Sequence, residues 1–398
     1  MEKQFSLRKN DAMKTVFPFI AAALLAPACP LLEPALKFDD THHPGDTLSS
    51  VIRRDTVFLV SAVSFPESYD WQRDTAFGAV SCTVELYEND KCVLSLPAGP
   101  SKRISPAPDR HHIIDGALYS DFCDRSGTVI KCNGVTAAEW EEQEIIIGLL
   151  PLDGTLYTLG RPVSGDGFSF RRNGIPVLES DTGVPFGGFG MDTYGSNGAL
   201  YRDKGQICFS FHEGNSAYLV RNGTKETIET DPDARYLDAK VFDGIPAVLL
   251  KHYGFADLLY DGYYTDYAFG GSVDWLEAGI FMHGREPMIT GRVALGPPGK
   301  STFGVLKDGD YTNLGQDTGH IYFENGDWYP LKTEGRLRDE YYFFNRDCAV
   351  RIGGRFVVAL TPHDGGSPVL LDGSDTLEYK LHGYLSGVAA EIREHHAD

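Results

Sequence analysis

Six segments of the chain each carry charged or imidazole side chains beside glycine, serine or proline: 120–127 (SDFCDRSG), 158–166 (TLGRPVSGD), 202–206 (RDKGQ), 250–256 (LKHYGFA), 295–301 (LGPPGKS) and 361–367 (TPHDGGS). Five contain Lys or Arg, and the sixth contains His363. Their basic residues are Arg125, Arg161, Arg202, Lys204, Lys251 and Lys300, set against Asp121, Asp124, Asp166, Asp203 and Asp364. Arginine grips a carboxylate by two parallel hydrogen bonds, and basic groups gathered in a concave mouth add their fields. The chemistry indicated is capture of an anionic or strongly polar ligand, such as an acidic glycan. Local pairing of these charges, worth roughly 0–1 kcal/mol per pair on an open surface, is the plainer alternative.

Three further groups are dense enough to line a pocket. His111 and His112 follow Asp109-Arg110, Asp70-Trp71 ends the run FPESYDW, and Tyr260, Tyr263, Tyr264, Tyr267 and Phe269 form an aromatic run. Each equally suits packing between sheets, and tyrosine favours strands. Packing is the expectation for the tyrosines. Covalent and metal chemistry find little support. Ser216 near His212 and Glu213 lacks a nucleophile motif. Asp308, Asp310 and Asn313 imitate a calcium loop only in part. No cofactor or metal is expected. Paired carboxylates for glycoside chemistry cannot be singled out among so many acids.

The chain has 398 residues, 42 % of them apolar, enough for a packed core. It holds 36 Lys and Arg against 56 Asp and Glu, a net −20. This balance argues against a nucleic-acid partner. Val16–Ala28 (VFPFIAAALLAPA) is uncharged and preceded by Arg8, Lys9 and Lys14. It is too short to span a bilayer, which takes about 20 residues, and it suits the apolar region of an export signal. Leu24 to Ala28 followed by Cys29 resembles a bacterial lipoprotein cleavage box, with Ala26 and Pro27 departing from the usual pattern. The resemblance implies lipidation at Cys29; ordinary signal cleavage is the alternative. Residues 1–28 are then an export signal and 29–54 a tether. The expected home is the bacterial envelope, as an outer-membrane or periplasmic lipoprotein, with membrane contact only through the lipid. The other six cysteines show no regular framework, and burial as small hydrophobes is favoured over bridges.

What must position these residues is a repeat. Asp115-Gly116-Ala117-Leu118-Tyr119, Asp153-Gly154-Thr155-Leu156-Tyr157 and Asn197-Gly198-Ala199-Leu200-Tyr201 share one phrase, with looser copies at Gly244, Gly291 and Gly354. After each comes a second turn, at Asn133, Asn173, Asn222, Asp261, Asp308 and Asp372. The distances from glycine to turn are 17, 19, 24, 17, 17 and 18 residues. Asn-Gly and Asp-Gly between apolar runs favour hairpins, so each unit reads as about four short strands. Val135–Glu144 and Val388–His395 are the only short helix candidates.

Such units resemble the blades of β-propellers. The implied fold is all-β: residues 55–398 as one closed propeller of four-stranded antiparallel blades, seven favoured and six to eight possible. Thr56–Val63 should share a blade with a strand around Leu377–Leu381. The hairpin at 322–329 is an insertion or part of an eighth blade. Gly353-Gly354 resembles the kelch double glycine once, and the resemblance implies fold without activity. A non-catalytic binding or scaffold propeller is the expected function. A glycan-active enzyme and a sensor or assembly subunit acting through an envelope protein remain open.

Overall fold

The computed structural model describes residues 52–396 apart from 74–79, 99–109, 187–198, 253–254, 269–272, 284–285, 296–300, 308–309, 316–317, 325–326, 333–335, 343 and 345. The expected export signal, the expected tether up to residue 51, Cys29 and Lys300 lie outside the described residues.

The described chain is all-β, built of successive antiparallel sheets. The first holds β1 (Ile52–Ser64), β2 (Cys82–Glu88) and β3 (Lys91–Ala98). The second holds β4 (His111–Ile114), β5 (Ala117–Asp124), β6 (Gly127–Cys132) and β7 (Val135–Trp140). The third holds β8 (Glu144–Leu152), β9 (Thr155–Pro162), β10 (Phe168–Arg172) and β11 (Ile175–Ser180). The fourth holds β12 (Val184–Pro185), β13 (Tyr201–Asp203), β14 (Gln206–Glu213), β15 (Ser216–Arg221) and β16 (Thr224–Thr230). The fifth holds β17 (Arg235–Phe242), β18 (Ile245–His252), β19 (Phe255–Tyr260) and β20 (Tyr263–Ala268). The sixth holds β21 (Val273–His283), β22 (Glu286–Leu295), β23 (Ser301–Lys307) and β24 (Asp310–Gly315). A two-stranded hairpin, β25 (Thr318–Glu324) and β26 (Asp327–Lys332), comes next. The short helix α1 (Arg336–Glu340) then leads to a last sheet of β27 (Tyr341–Tyr342), β28 (Ala349–Ile352), β29 (Arg355–Pro362), β30 (Val369–Asp372) and β31 (Asp375–Glu378). Finally β32 (Gly383–His396) returns to the first sheet, giving the order β3-β2-β1-β32.

This is the strand order of propeller blades. First strands of neighbouring sheets lie side by side, β28 against β32, β32 against β4 and β17 against β21. The partner of β1 is β32, paired from Ile52↔His396 to Ser64↔Gly383. The expected partner around Leu377–Leu381 is corrected, because Leu377 pairs with Leu370 inside the last sheet. Both short helix candidates are strands, since Val135 begins β7 and Val388 lies in β32. A neighbouring strand is present to pair with each, and that outweighs a weak local pattern.

Local chemistry explains the repeat. Asp115, Asp153 and Asp243 sit at φ 48°, 49° and 52° in the turn between first and second strands, each followed by a glycine at positive φ. The second turn does more than reverse the chain. The Asn133 N–H donates to the Leu118 carbonyl at 2.8 Å, while Asn133 Oδ1 accepts the Leu118 N–H at 2.8 Å. The same clamp joins Asn89 to Phe58, Asn173 to Leu156, and Asn222 to Ile207. At Asn133, Asn222 and Asn173 the clamp ties the turn between the third and fourth strands to the start of the second. It closes over 15 residues at Asn133 and Asn222 and over 17 at Asn173.

Two copies of the repeat are corrected. Asn197 and Gly198 lie outside the described residues, and the hairpin turn of the fourth sheet is Lys204-Gly205, at φ 46° and 80°. Lys204 precedes Asn222 by the same interval that separates Asp115 from Asn133. Gly291 is not at a turn; it lies inside β22, paired with Ala278 and Gly304.

The core lies between sheets. Phe168 and Phe170 of the third sheet meet Phe209 and Phe211 of the fourth, with ring centroids 4.7–5.4 Å apart. The hairpin β25–β26 acts as a thin wedge: Ile321 packs with Met288 and Val305, while the next residue, Tyr322, packs with the last sheet. One ion pair is buried outright. Arg171 Nη2 donates to Glu144 Oε1 at 2.7 Å, and Ser169 Oγ donates to the same oxygen at 2.5 Å. The Arg171 guanidinium also lies 5.0 Å from the Trp140 ring centroid of the preceding sheet.

Candidate functional site

The structure divides the expected basic mouth. Arg125 lies between β5 and β6, Arg161 near the end of β9, and Lys251 near the end of β18, all at the second-to-third-strand end of their sheets. Arg202 lies in β13 and Lys204 in the turn that follows it, at the opposite end of the fourth sheet. The physical reason is the displaced hairpin turn: Lys204-Gly205 joins the first and second strands, so residues 202–206 are not a second-to-third loop. Pairing also removes one counted acid, because buried Asp121 accepts from Arg110 Nη1 at 2.6 Å.

Arg202 instead lines a cavity of about 740 Å³ together with residues of the fifth and sixth sheets. Its apolar wall includes Tyr201, Phe242, Ile245, Tyr260 and Met282. Its charged rim is Arg202, Asp203, Lys240, Asp243 and Asp261. Two of these are committed to the fold. Asp203 Oδ2 accepts the Gly244 N–H at 2.9 Å, tying the fourth sheet to the turn of the fifth. Lys240 Nζ donates to the Ile280 carbonyl at 3.3 Å, lies 3.6 Å from Asp238 Oδ2, and sits 4.5 Å above the Phe281 ring. Asp238 in turn accepts the Ile280 N–H at 2.8 Å. Tyr201 Oη accepts the Val241 N–H at 3.0 Å, and burial pushes its hydroxyl well above the usual tyrosine value. Tyr260 is raised as well, by burial first and then by the carboxylates of Asp261 and Asp243. The cavity is thus held rigid by backbone-directed bonds, while Arg202, Asp243 and Asp261 make no ion pair or hydrogen bond among the described residues.

A second, smaller cavity of about 140 Å³ lies beside the first strands β4, β28 and β32. His112 lines it, with Nδ1 3.1 Å from Asp347 Oδ2, and Gly387 lies on the same wall. His111 is fully buried, its Nδ1 2.9 Å from Ser120 Oγ. Trp71 is core, stacked on Phe65 and against Tyr342, Phe344 and Tyr384. The tyrosine run divides: Tyr260 packs against the core of the fifth and sixth sheets as expected, whereas Tyr263 and Tyr264 are 76 % and 57 % exposed, because β20 is an edge strand. Ser216 Oγ shares a hydrogen bond with Thr230, and Glu213 accepts from Lys225, Ser180 and Thr182. Neither arrangement activates a nucleophile. Cys82, Cys208 and Cys348 are buried, and burial pushes the Cys82 thiol up to about 12.

No protein-family model matches the chain, and no curated protein matches it either. Among solved structures, it is similar to apo AztD from Citrobacter koseri at 7 % identity and a TM-score of 0.44, over 86 % of this chain and 100 % of that one. It is similar to BamB from Moraxella catarrhalis at 13 % identity and a TM-score of 0.35, over 82 % and 99 %. The N-terminal domain of Nup159 gives 8 % and 0.34, over 87 % and 97 %. At these values the likeness says nothing of ligand or activity.

Proposed function

We propose that the protein is an exported binding propeller of the bacterial cell envelope, anchored through Cys29, with its ligand site in the cavity between the fourth, fifth and sixth sheets. The observation that carries the ligand site is the pairing of a rigid aromatic and apolar wall with charges that the fold leaves uncommitted. Ligand sites are concave, mostly apolar and furnished with a few placed polar groups. The class of ligand is polar and glycan-like: a sugar ring suits the faces of Tyr260 and Phe242, and Arg202 suits a carboxylate on it.

Calorimetric titration with glucuronate-containing oligosaccharides tests the site. Saturable binding that Arg202→Ala and Tyr260→Ala each weaken about tenfold is the expected result. Binding unaffected by either variant moves the site elsewhere. The address has its own test, mass spectrometry of the mature N-terminus. A diacylglyceryl-modified Cys29 is expected, and a chain retaining Met1 or Met13 overturns export.

A further inference from the structure

We propose that the ligand of this cavity is dipolar, a glycan fragment that carries a carboxylate and, at its other end, a free ammonium. The proposal rests on the binding reading above and concerns the arrangement of charge within that site. Arg202 stands on β13 of the fourth sheet, whereas Asp243 and Asp261 stand on the two turns of the fifth. Asp203, beside Arg202, is bonded to the Gly244 N–H, Lys240 is bonded inward, and Lys204 Nζ lies beside Gly244. Among the described residues, the cavity-lining charges without a bond of their own are therefore one cation on the fourth sheet and two carboxylates on the fifth.

Tyr260, Asp243 and Asp261 line the same cavity, and after burial the two carboxylates raise the Tyr260 hydroxyl further. Lys240 does not neutralise them, being turned inward to Asp238, the Ile280 carbonyl and the Phe281 face. An ammonium placed there gains the field of two carboxylates and the face of an aromatic ring. From the fourth sheet Arg202 offers a planar fork to a carboxylate.

Long-range charge favours the same answer. The chain carries a net −20, so a purely anionic ligand approaches against the field of the whole molecule. A ligand with no net charge meets no such barrier and still finds an opposite partner in the cavity for each of its charges.

Titration of the unmodified protein with a glucuronic acid–glucosamine disaccharide, free amine and N-acetylated, decides the matter. The free amine is expected to bind at least tenfold tighter. Asp243→Asn with Asp261→Asn should erase that difference, since asparagine keeps both left-handed turns, while Arg202→Ala should weaken both sugars alike. Equal binding of the two sugars overturns the dipolar ligand and leaves the binding reading intact. Binding of neither, with the thermal midpoint unchanged by the variants, overturns both.

Discussion

At the scale of single residues, the asparagine clamp shows how a repeat is written into a sequence. Asn133 serves three needs at once: it tolerates positive φ, it starts the hairpin, and its side chain satisfies the Leu118 N–H. Asn133→Ala should cost about 2 kcal/mol, combining an unsatisfied backbone donor with strain at φ 48°. Urea denaturation would read this as a lowered midpoint at unchanged slope. The buried pair behaves differently. Arg171→Met leaves Glu144 uncompensated and should cost about 3–5 kcal/mol. Adding Glu144→Leu should restore much of it, which a double-mutant cycle would measure. Glu213 brings a pH dependence. Hydrogen bonds from Lys225, Ser180 and Thr182 hold its carboxyl down from 4.5 to about 2. Its contribution is present above about pH 4.5 and is lost as pH falls toward 2. Urea midpoints measured between pH 2 and 6 should flatten in Glu213→Gln. The clamp residues were legible because Asn-Gly is a strong local code. Lys204-Gly205 was not, since lysine carries no turn preference and only the interval to Asn222 betrays it.

At the scale of elements, the spacing of 24 residues to Asn222 was the one irregular value in the repeat, and it marked the displaced turn. The hairpin β25–β26 shows the opposite case, a segment whose existence was legible but whose role was not. Alternation puts Ile321 against the sixth sheet and Tyr322 against the last, so the hairpin fills the space between two larger sheets. Ile321→Ala should destabilise by about 2–4 kcal/mol through the cavity it leaves, detectable as a drop of several degrees in Tm. The cavity of the candidate site was legible only in part: Arg202 and Tyr260 stood out in the sequence, whereas Tyr201, Phe242 and Met282 each read locally as ordinary strand residues. Only the juxtaposition of three sheets brings them around one cavity.

For the whole molecule, the pairing of β1 with β32 matters most. Ser61 Oγ accepts from Ser386 Oγ at 2.9 Å, a bond between residues 325 apart in sequence. Removing residues 383–398 strips β1 of its partner along its full length and exposes a long apolar edge. That truncated chain should lose cooperative unfolding by near-ultraviolet circular dichroism, and a synthetic peptide of residues 383–396 should restore it. The fold class was legible because the turns repeat. The identity of the last strand was not, because β32 lacks any turn phrase and resembles a helix end in its run of alanine, glutamate and arginine.

The β1–β32 pairing also sets a clock. At roughly 5–20 residues per second, a ribosome needs about 15–65 s to make β32 after β1 has emerged. Over that interval the first sheet has no inner strand, and the molecule cannot commit to its final shape. Under the export proposed above such a delay has a use: translocation machinery would meet a nascent polypeptide that is still threadable, and the fold would complete only after its last strand had crossed.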